Sequence, residues 1–207
     1  DYLIGEGYRL LASAGFDGSV RAEMLLAAAN GHRELCLGQG EELAFCRRPV
    51  PVAESEVLRI YAQKTSAAFE VAVQVGAAAA GVDAETRAQL SAFSQAVGTA
   101  YQIQDDIEDF RSVRGRAADL LAMRPTLFLA AACTCEHPAV RRALHAVWEG
   151  DAAGRERLID AIYEAGLHTR VELLYAHYKH ETERVLSGIP HSGLKRLLRR
   201  IMARMLH

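Results

Sequence analysis

The chain has 207 residues, half of them hydrophobic, and a formal net charge of −2, so it is long enough to bury the core of one sizeable domain and is not a disordered tail. The charge balance, without a dense basic run, argues against a general nucleic-acid binder. Four cysteines without a CxxC pair indicate a reduced, cytoplasmic protein. The longest apolar runs fall short of the roughly 18 residues of a membrane span, which argues against stable membrane insertion.

The predicted elements are helices from one end of the chain to the other. Residues 21–45 carry apolar side chains three and four apart, and Pro49 and Pro51 end that helix. Residues 55–81 are apolar on most faces, which predicts one long helix buried inside a bundle. The chain begins DYLIGEG without a starting Met, and we expect its N-terminal part to be missing.

A second long helix is predicted from Asp83, a plausible N-cap, to Ser112, with a length of about 40 Å at 1.5 Å per residue. Gly115 is predicted to end this element. Five more helices separated by Gly, Pro, Ser or His follow, at residues 117–135, 137–150, 154–166, 168–190 and 192–206. With no repeat and no linker, the economical interpretation is one all-α domain over residues 1–207.

The last predicted helix, residues 192–206, is basic and amphipathic. A solvated helix that closes the bundle is the favoured interpretation. The alternatives are that it caps a cavity or touches membranes.

The segment YQIQDDIEDF, residues 101–110, concentrates acids near the C-terminal end of the second long helix. On a helix, Asp105 and Asp109 share a face and Asp106 lies at its edge. The helix dipole is negative at that end, so carboxylates there indicate a bound cation. Hard oxygen donors at this spacing suit Mg²⁺. The alternative is a solvated acidic helix end.

Lys64 and Thr65 interrupt the otherwise apolar helix of residues 55–81. A lysine in such surroundings needs a counter-charge or an anionic ligand. The alternative is a surface lysine whose stem covers apolar neighbours while its amine reaches water.

Taken in order along the chain, these motifs resemble those of the head-to-tail trans-isoprenyl diphosphate synthases, the polyprenyl synthetases. The family carries a Gly–Gln pair, a Lys–Thr pair, a Phe–Gln pair and a second aspartate-rich motif on successive helices. The matching positions in this chain are Gly38–Gln39, Lys64–Thr65, Tyr101–Gln102 and Asp105–Asp109. The likeness runs nearly end to end, and it implies an isoprenoid-synthase-type helical bundle around a central apolar cavity.

The resemblance also implies an activity: Mg²⁺-dependent condensation of an allylic diphosphate with isopentenyl diphosphate to a longer trans-prenyl diphosphate, in a homodimer. It assigns catalytic roles to Lys64, Thr65 and Gln102. It assigns the metal to Asp105, Asp106 and Asp109, and substrate diphosphate to Lys64, Arg116, Arg124, Tyr101 and Gln39.

Two arginines depart from the family pattern. Gly115–Arg116 and Asp119 with Arg124 match a family segment in which both basic residues are lysines. Arginine keeps the charge and binds phosphate through two nitrogens, so we expect anion binding to survive.

The family's first aspartate-rich motif and its arginine pair lie upstream of the helix that opens this chain. Two interpretations therefore stay beside an active synthase that has lost its N-terminal part. One is a catalytically weak or regulatory subunit that pairs with an active homologue. The other is a terpene cyclase-like enzyme on the same fold, against which the Gly–Gln and Lys–Thr pairs count.

Overall fold

The computed structural model describes residues 2–111 and 117–206, and the regular structure of these residues is helical without a strand. The all-α prediction is confirmed. The helices are α1 Tyr2–Ala12, α2 Gly18–Arg47, α3 Glu54–Tyr61, a π turn at Ala62–Ser66, α4 Ala67–Ala80, α5 Ala84–Arg111, α6 Ala118–Leu121, α7 Leu127–Cys133, α8 Pro138–Trp148, α9 Ala152–Glu164, α10 Leu167–Gly188 and α11 Ser192–Met205.

Helix α5 is the central element of the bundle. It lies between α4 on one side and α10 on the other, and α2 packs on the far side of α4. The Asp83 carboxylate accepts a hydrogen bond from the Thr86 backbone N–H at 2.7 Å, which confirms the predicted N-cap. Along its length α5 buries apolar side chains on more than one face, including Phe93, Val97 and Ile103, as expected for a helix enclosed by neighbours.

Two apolar clusters divide the core along α5. Its N-terminal half packs with α11 through side chains such as Leu90, Leu198 and Met202. Its C-terminal half packs with α7 to α10, where the Phe110 and Phe128 rings stack at 4.0 Å. This arrangement fixes the acidic end of α5 against the short helices that follow it.

The predicted helix over residues 55–81 forms, with one irregularity that the apolar pattern did not indicate. Between α3 and α4 the backbone makes a π turn at Ala62–Ser66. Tyr61 before it and Ser66 within it are buried, whereas Lys64 and Thr65 are only half-buried. The π turn therefore brings these two polar side chains out of an otherwise apolar helix.

Close approach of the helices around this turn depends on glycine. A Cβ added to Gly98 of α5 would lie 2.5 Å from the Ser66 Cα, and one added to Gly31 of α2 would lie 2.0 Å from the Val71 Cγ2. Both distances are below van der Waals contact. At Gly98 the opposing atom is backbone, so the packing there requires glycine, whereas at Gly31 the Val71 side chain would have to move.

The prediction of one helix over residues 117–135 is wrong. The segment forms α6 and α7, separated by an irregular stretch. Met123 adopts a positive φ of 56°, and Pro125 supplies no backbone N–H, so a continuous helix is interrupted. Thr126 then caps α7 by accepting a hydrogen bond from the Leu129 N–H at 3.2 Å.

Candidate functional site

The Lys64 side chain meets a carboxylate from α2. Gly38 makes this possible, since a Cβ there would lie 2.8 Å from the Gln63 Cβ and 3.1 Å from the Lys64 backbone nitrogen. One turn further along α2, the Glu42 carboxylate forms an ion pair with the Lys64 Nζ. Glu42 is 7% exposed, and a carboxylate this buried needs such a partner.

Arg124 extends this group of charges toward α6. Its Nη1 lies 3.8 Å from the Glu42 Oε1, and its Nε lies 3.3 Å from the Asp119 Oδ1. The Arg124 side chain is 48% exposed and its contacts are longer than the Lys64 contact. The guanidinium is therefore loosely held and accessible to an anion from solvent.

A second set of polar contacts joins the π turn to the acidic motif. The Thr65 hydroxyl donates to the Gln102 Oε1 at 2.7 Å, and the Gln102 Nε2 donates to the Asp105 Oδ2 at 3.2 Å. Thr65 and, 37 residues further along the chain, Gln102 with Asp105 thus form one hydrogen-bonded chain.

The carboxylates of Asp105, Asp109 and Asp119 lie close to one another at the C-terminal end of α5. Asp105 is exposed and Asp109 is half-buried, and the Asp109 Oδ2 accepts the Asp119 backbone N–H at 3.0 Å. Burial raises the pKa of the Asp119 carboxyl; Arg124 lowers it, while Asp109 and Asp105 raise it further. The unshared negative charge of this volume is suited to a cation.

Among residues 2–111 and 117–206, no three His, Cys, Asp or Glu side chains are arranged to hold a metal ion by themselves. The donor set instead fits a hard cation that takes one or two carboxylates and completes its shell with water and phosphate oxygens, as Mg²⁺ does. Asp105 and Asp109 are the two carboxylates of the motif that could hold such a cation.

Asp106 is placed differently from its two neighbours in the motif. It is 3% exposed, and its Oδ2 accepts hydrogen bonds from the Tyr61 hydroxyl and, at 3.0 Å, from the Leu127 N–H. Burial raises its pKa to about 7, against the lowering effect of these two hydrogen bonds. The geometry does not support the expectation that Asp106 is a metal ligand, because its carboxylate points into the core.

Two other predicted residues, Gln39 and Tyr101, are not joined to these polar contacts in the described part of the chain. Gln39 is half-buried on α2 and has no hydrogen bond to the site within the described part of the chain. Tyr101 is 39% exposed, with its ring edge-on to Phe69 at 6.2 Å. Arg116, like Gly115, lies outside the described residues.

Sequence reasoning missed Glu42 and Tyr61 as members of this site. Glu42 belongs to the stretch LGQGEEL, where two adjacent glutamates look alike, and nothing in the spacing shows which one is buried. Tyr61 lies three residues before Lys64, and its hydroxyl in an apolar helix was the available signal.

An apolar groove lies on the same helices as the site but is lined by none of the described polar site residues. It has a volume of about 760 Å³ and lies between α1, α2 and α4. Ala68, on its wall, follows Lys64 by one helical turn, and Cys36 precedes Gln39 by about one turn on α2. The rest of the wall includes Leu11, Leu35, Val71 and Val75. The polar site and the apolar groove are therefore neighbours along α2 and along the helix that carries Lys64.

Comparison with known proteins identifies relatives of this chain. The model of the polyprenyl synthetase family matches residues 1–165. Component 2 of the heptaprenyl diphosphate synthase of Geobacillus stearothermophilus is 31% identical over 205 residues, covering 96% of this chain and 62% of that protein. The farnesyl diphosphate synthase of Escherichia coli is 40% identical over 86 residues, 41% of this chain and 28% of that protein.

Solved structures show the same fold. The decaprenyl diphosphate synthase of Rhodobacter capsulatus superimposes with a TM-score of 0.85 at 20% identity, covering all of this chain and 64% of that one. The chain therefore spans less than two thirds of the length of each of these three proteins. Because the family match covers well over half of the chain, the protein is a member of the polyprenyl synthetase family.

Proposed function

We propose that the full-length protein is a Mg²⁺-dependent prenyltransferase that condenses an allylic diphosphate with isopentenyl diphosphate to a longer trans-prenyl diphosphate. The observation that carries this proposal is the joining of Thr65, Gln102 and Asp105 in one hydrogen-bonded chain beside Lys64. An apolar groove has Ala68, one helical turn after Lys64, in its wall, and this combination suits a substrate with a charged diphosphate and a hydrocarbon tail.

The residues divide the chemistry between them. Lys64 and Arg124, with Arg116, bind the allylic diphosphate and neutralise its charge. Asp105 and Asp109 would hold Mg²⁺, which when bound supplies Lewis-acid stabilisation of the leaving group. The carbon–oxygen bond of the allylic diphosphate breaks, and pyrophosphate leaves with the electron pair.

The allylic cation that remains needs electron-rich neighbours without water. The oxygens of Thr65 and Gln102 orient and stabilise it while the double bond of isopentenyl diphosphate attacks to form the new carbon–carbon bond. The released pyrophosphate takes the proton lost from the adduct. The apolar groove holds the hydrocarbon and excludes water that would quench the cation.

The test is an assay of the full-length protein with radiolabelled isopentenyl diphosphate, allylic diphosphates of several lengths and Mg²⁺. We expect label in longer prenyl diphosphates, and loss of incorporation when EDTA removes the metal. Conversion of the allylic diphosphate to hydrocarbon or alcohol without uptake of label would overturn the proposal in favour of a cyclase.

A second candidate is one component of a heteromeric synthase. The relative that matches nearly the whole chain is named component 2 of a heptaprenyl diphosphate synthase. If the protein is such a component, it incorporates label only when a second protein is added.

We expect Lys64→Ala to lower kcat/KM for the allylic diphosphate by about a hundredfold, because the diphosphate loses a cation that neutralises it. The substitution also leaves Glu42 without its ion-pair partner, so stability falls as well. A Lys64→Met/Glu42→Gln double variant should regain stability without regaining activity. Lys179→Ala, which removes another half-buried lysine on α10, is the control. Kinetics unchanged from wild type would show that Lys64 is a surface lysine.

We also propose a homodimer, which exposed apolar side chains on α1 and α2 support. Leu10 is 59% exposed, Leu26 is 62% exposed and Leu37 is 44% exposed. Exposed leucines on neighbouring helices suit a protein interface, and an obligate dimer would bury more than about 2,000 Å².

Analytical ultracentrifugation of the full-length protein at micromolar concentration should give a dimer. Leu26→Glu with Leu37→Glu should dissociate it, whereas Leu173→Glu, at an exposed leucine of α10, should not. A compact monomer that keeps its activity on dilution would rule the dimer out.

A further inference from the structure

Helix α11 presents an unusual surface for a protein whose net charge is negative. Its 14 residues include five basic side chains and no acid. One face is anchored in the core, where Leu198 is 5% exposed and Met202 is 7% exposed. The opposite face carries Arg196, Arg200 and Arg204 at four-residue intervals, all exposed, so they form one line along the helix.

The arginines of α11 contrast with several others on the surface, which are paired with carboxylates. Arg59, Arg111 and Arg170 each form an ion pair with a glutamate. Within the described part of the chain, no arginine of α11 lies within ion-pair distance of a carboxylate. The line of guanidinium groups is thus free to bind an anionic surface.

Two aliphatic side chains border this line. Leu197 is 48% exposed and Ile201 is 39% exposed, and they lie one turn apart on the same edge of the helix. Aliphatic side chains gain little from contact with the phosphates of a nucleic acid. A bilayer, in contrast, accepts them at the boundary between headgroups and acyl chains. Basic residues with adjoining aliphatic ones are the pattern of a helix that lies on an anionic membrane.

We propose that this face of α11, made up of Arg196, Leu197, Arg200, Ile201 and Arg204, docks on the surface of a bilayer that contains anionic lipids. No helix of the described residues has the length and apolarity to cross a bilayer, so the contact is peripheral. The guanidinium groups bind lipid phosphates, and the two aliphatic side chains enter the interface.

The position of α11 relates this docking to the candidate site. Arg204 and Met205 line a cavity of about 340 Å³ together with Tyr101, Asp105 and Glu108. Docking therefore places this cavity, and Asp105 in its wall, close to the bilayer. An apolar product partitions into the bilayer. That benefit rests on the proposed function, whereas the docking itself depends only on the surface of the helix.

Sedimentation of the full-length protein with lipid vesicles tests the proposal. We expect binding to vesicles of phosphatidylcholine with about 30% phosphatidylglycerol that is at least tenfold stronger than binding to phosphatidylcholine alone and weakens with salt. Arg196→Gln with Arg200→Gln should reduce this binding about tenfold or more. Arg204 is left unchanged because it borders the site. Arg141→Gln with Arg142→Gln removes equal charge from the exposed surface of α8 and should bind like wild type.

Leu197→Ser with Ile201→Ser keeps every charge, and we expect it to weaken vesicle binding while leaving the melting temperature near that of wild type. Equal binding of wild type to both vesicle types, or undiminished binding of the arginine variant, overturns the proposal. The proposal also fails if the serine variant binds anionic vesicles as tightly as wild type does and binds duplex RNA as tightly as it binds those vesicles. The face would then be a general site for polyanions. Vesicle binding needs no catalysis, so failure of the prenyltransferase assay does not affect this proposal. Equally, failure of vesicle binding does not affect the proposed prenyltransferase activity.

Discussion

Asp105→Ala is expected to lower turnover by about a thousandfold or more, since several kcal/mol of metal-based stabilisation of the leaving group would be lost. The side chain is exposed, and in the described part of the chain its carboxylate accepts one hydrogen bond, from Gln102 at 3.2 Å. Its removal also relieves repulsion with Asp109. We therefore expect a melting temperature equal to or above that of wild type.

Steady-state kinetics over a range of Mg²⁺ concentrations, with thermal melts of the same preparations, checks this prediction. Asp160→Ala, at an exposed acid on α9, is the matched control and should behave like wild type in both measurements. The contrary outcome is an Asp105→Ala protein that melts many degrees lower but whose folded fraction turns over normally. Asp105 would then stabilise the fold and would not bind the metal.

Asp106→Ala, one position along the chain, is expected to act mainly on stability. Its carboxylate is the acceptor for the buried Tyr61 hydroxyl and the buried Leu127 N–H. Each donor left without an acceptor costs about 1–3 kcal/mol, so we expect a loss of about 2–6 kcal/mol in the free energy of unfolding. Asp106→Asn keeps the shape and one acceptor oxygen, and should lose about half as much.

Urea denaturation at pH 6 in EDTA measures this loss. If Asp106→Ala is as stable as wild type but loses turnover as completely as Asp105→Ala, then Asp106 is a ligand and the placement described above is wrong.

The pH dependence of stability gives a second measurement on the same residue. The folded pKa of Asp106 is raised from 3.8 to about 7, so between these values the folded state holds a proton that the unfolded state has released. Stability of the metal-free protein should then fall as pH rises from about 4 to about 7. Asp106→Asn should remove this part of the slope, because an amide does not titrate.

Much of the fold could be predicted from residue patterns because its long helices follow simple rules. The helix at Ala84–Arg111 has a carboxylate N-cap at Asp83 and a continuous apolar pattern, and both features act locally. The π turn could not be predicted in the same way. It depends on how α2 and α5 press on the helix between them, through Gly38 and Gly98, and such contacts join residues far apart in the chain.

The site likewise combines features that follow from local sequence with features that depend on contacts between distant residues. Spacing alone places Asp105 and Asp109 on one face of a helix, and their accessibility agrees with it. Spacing cannot show that Asp106, at the edge of that face, turns inward to Tyr61 and Leu127, because those partners come from other helices. For the same reason the role of Glu42 becomes visible only once α2 is packed against the π turn.

The glycine contacts also limit how the site can move. Gly31 and Gly98 contact the α3–α4 helix from α2 and from α5, at distances too short for an added Cβ unless the neighbouring atoms move. A slide of one turn, about 5.4 Å along the axis, would replace each glycine at its contact with a residue that carries a Cβ. Shear between these helices is thereby blocked, and Lys64 and Thr65 form a fixed wall. Any closure around a bound diphosphate must then come from the opposite side, where Arg124 is half exposed and loosely held.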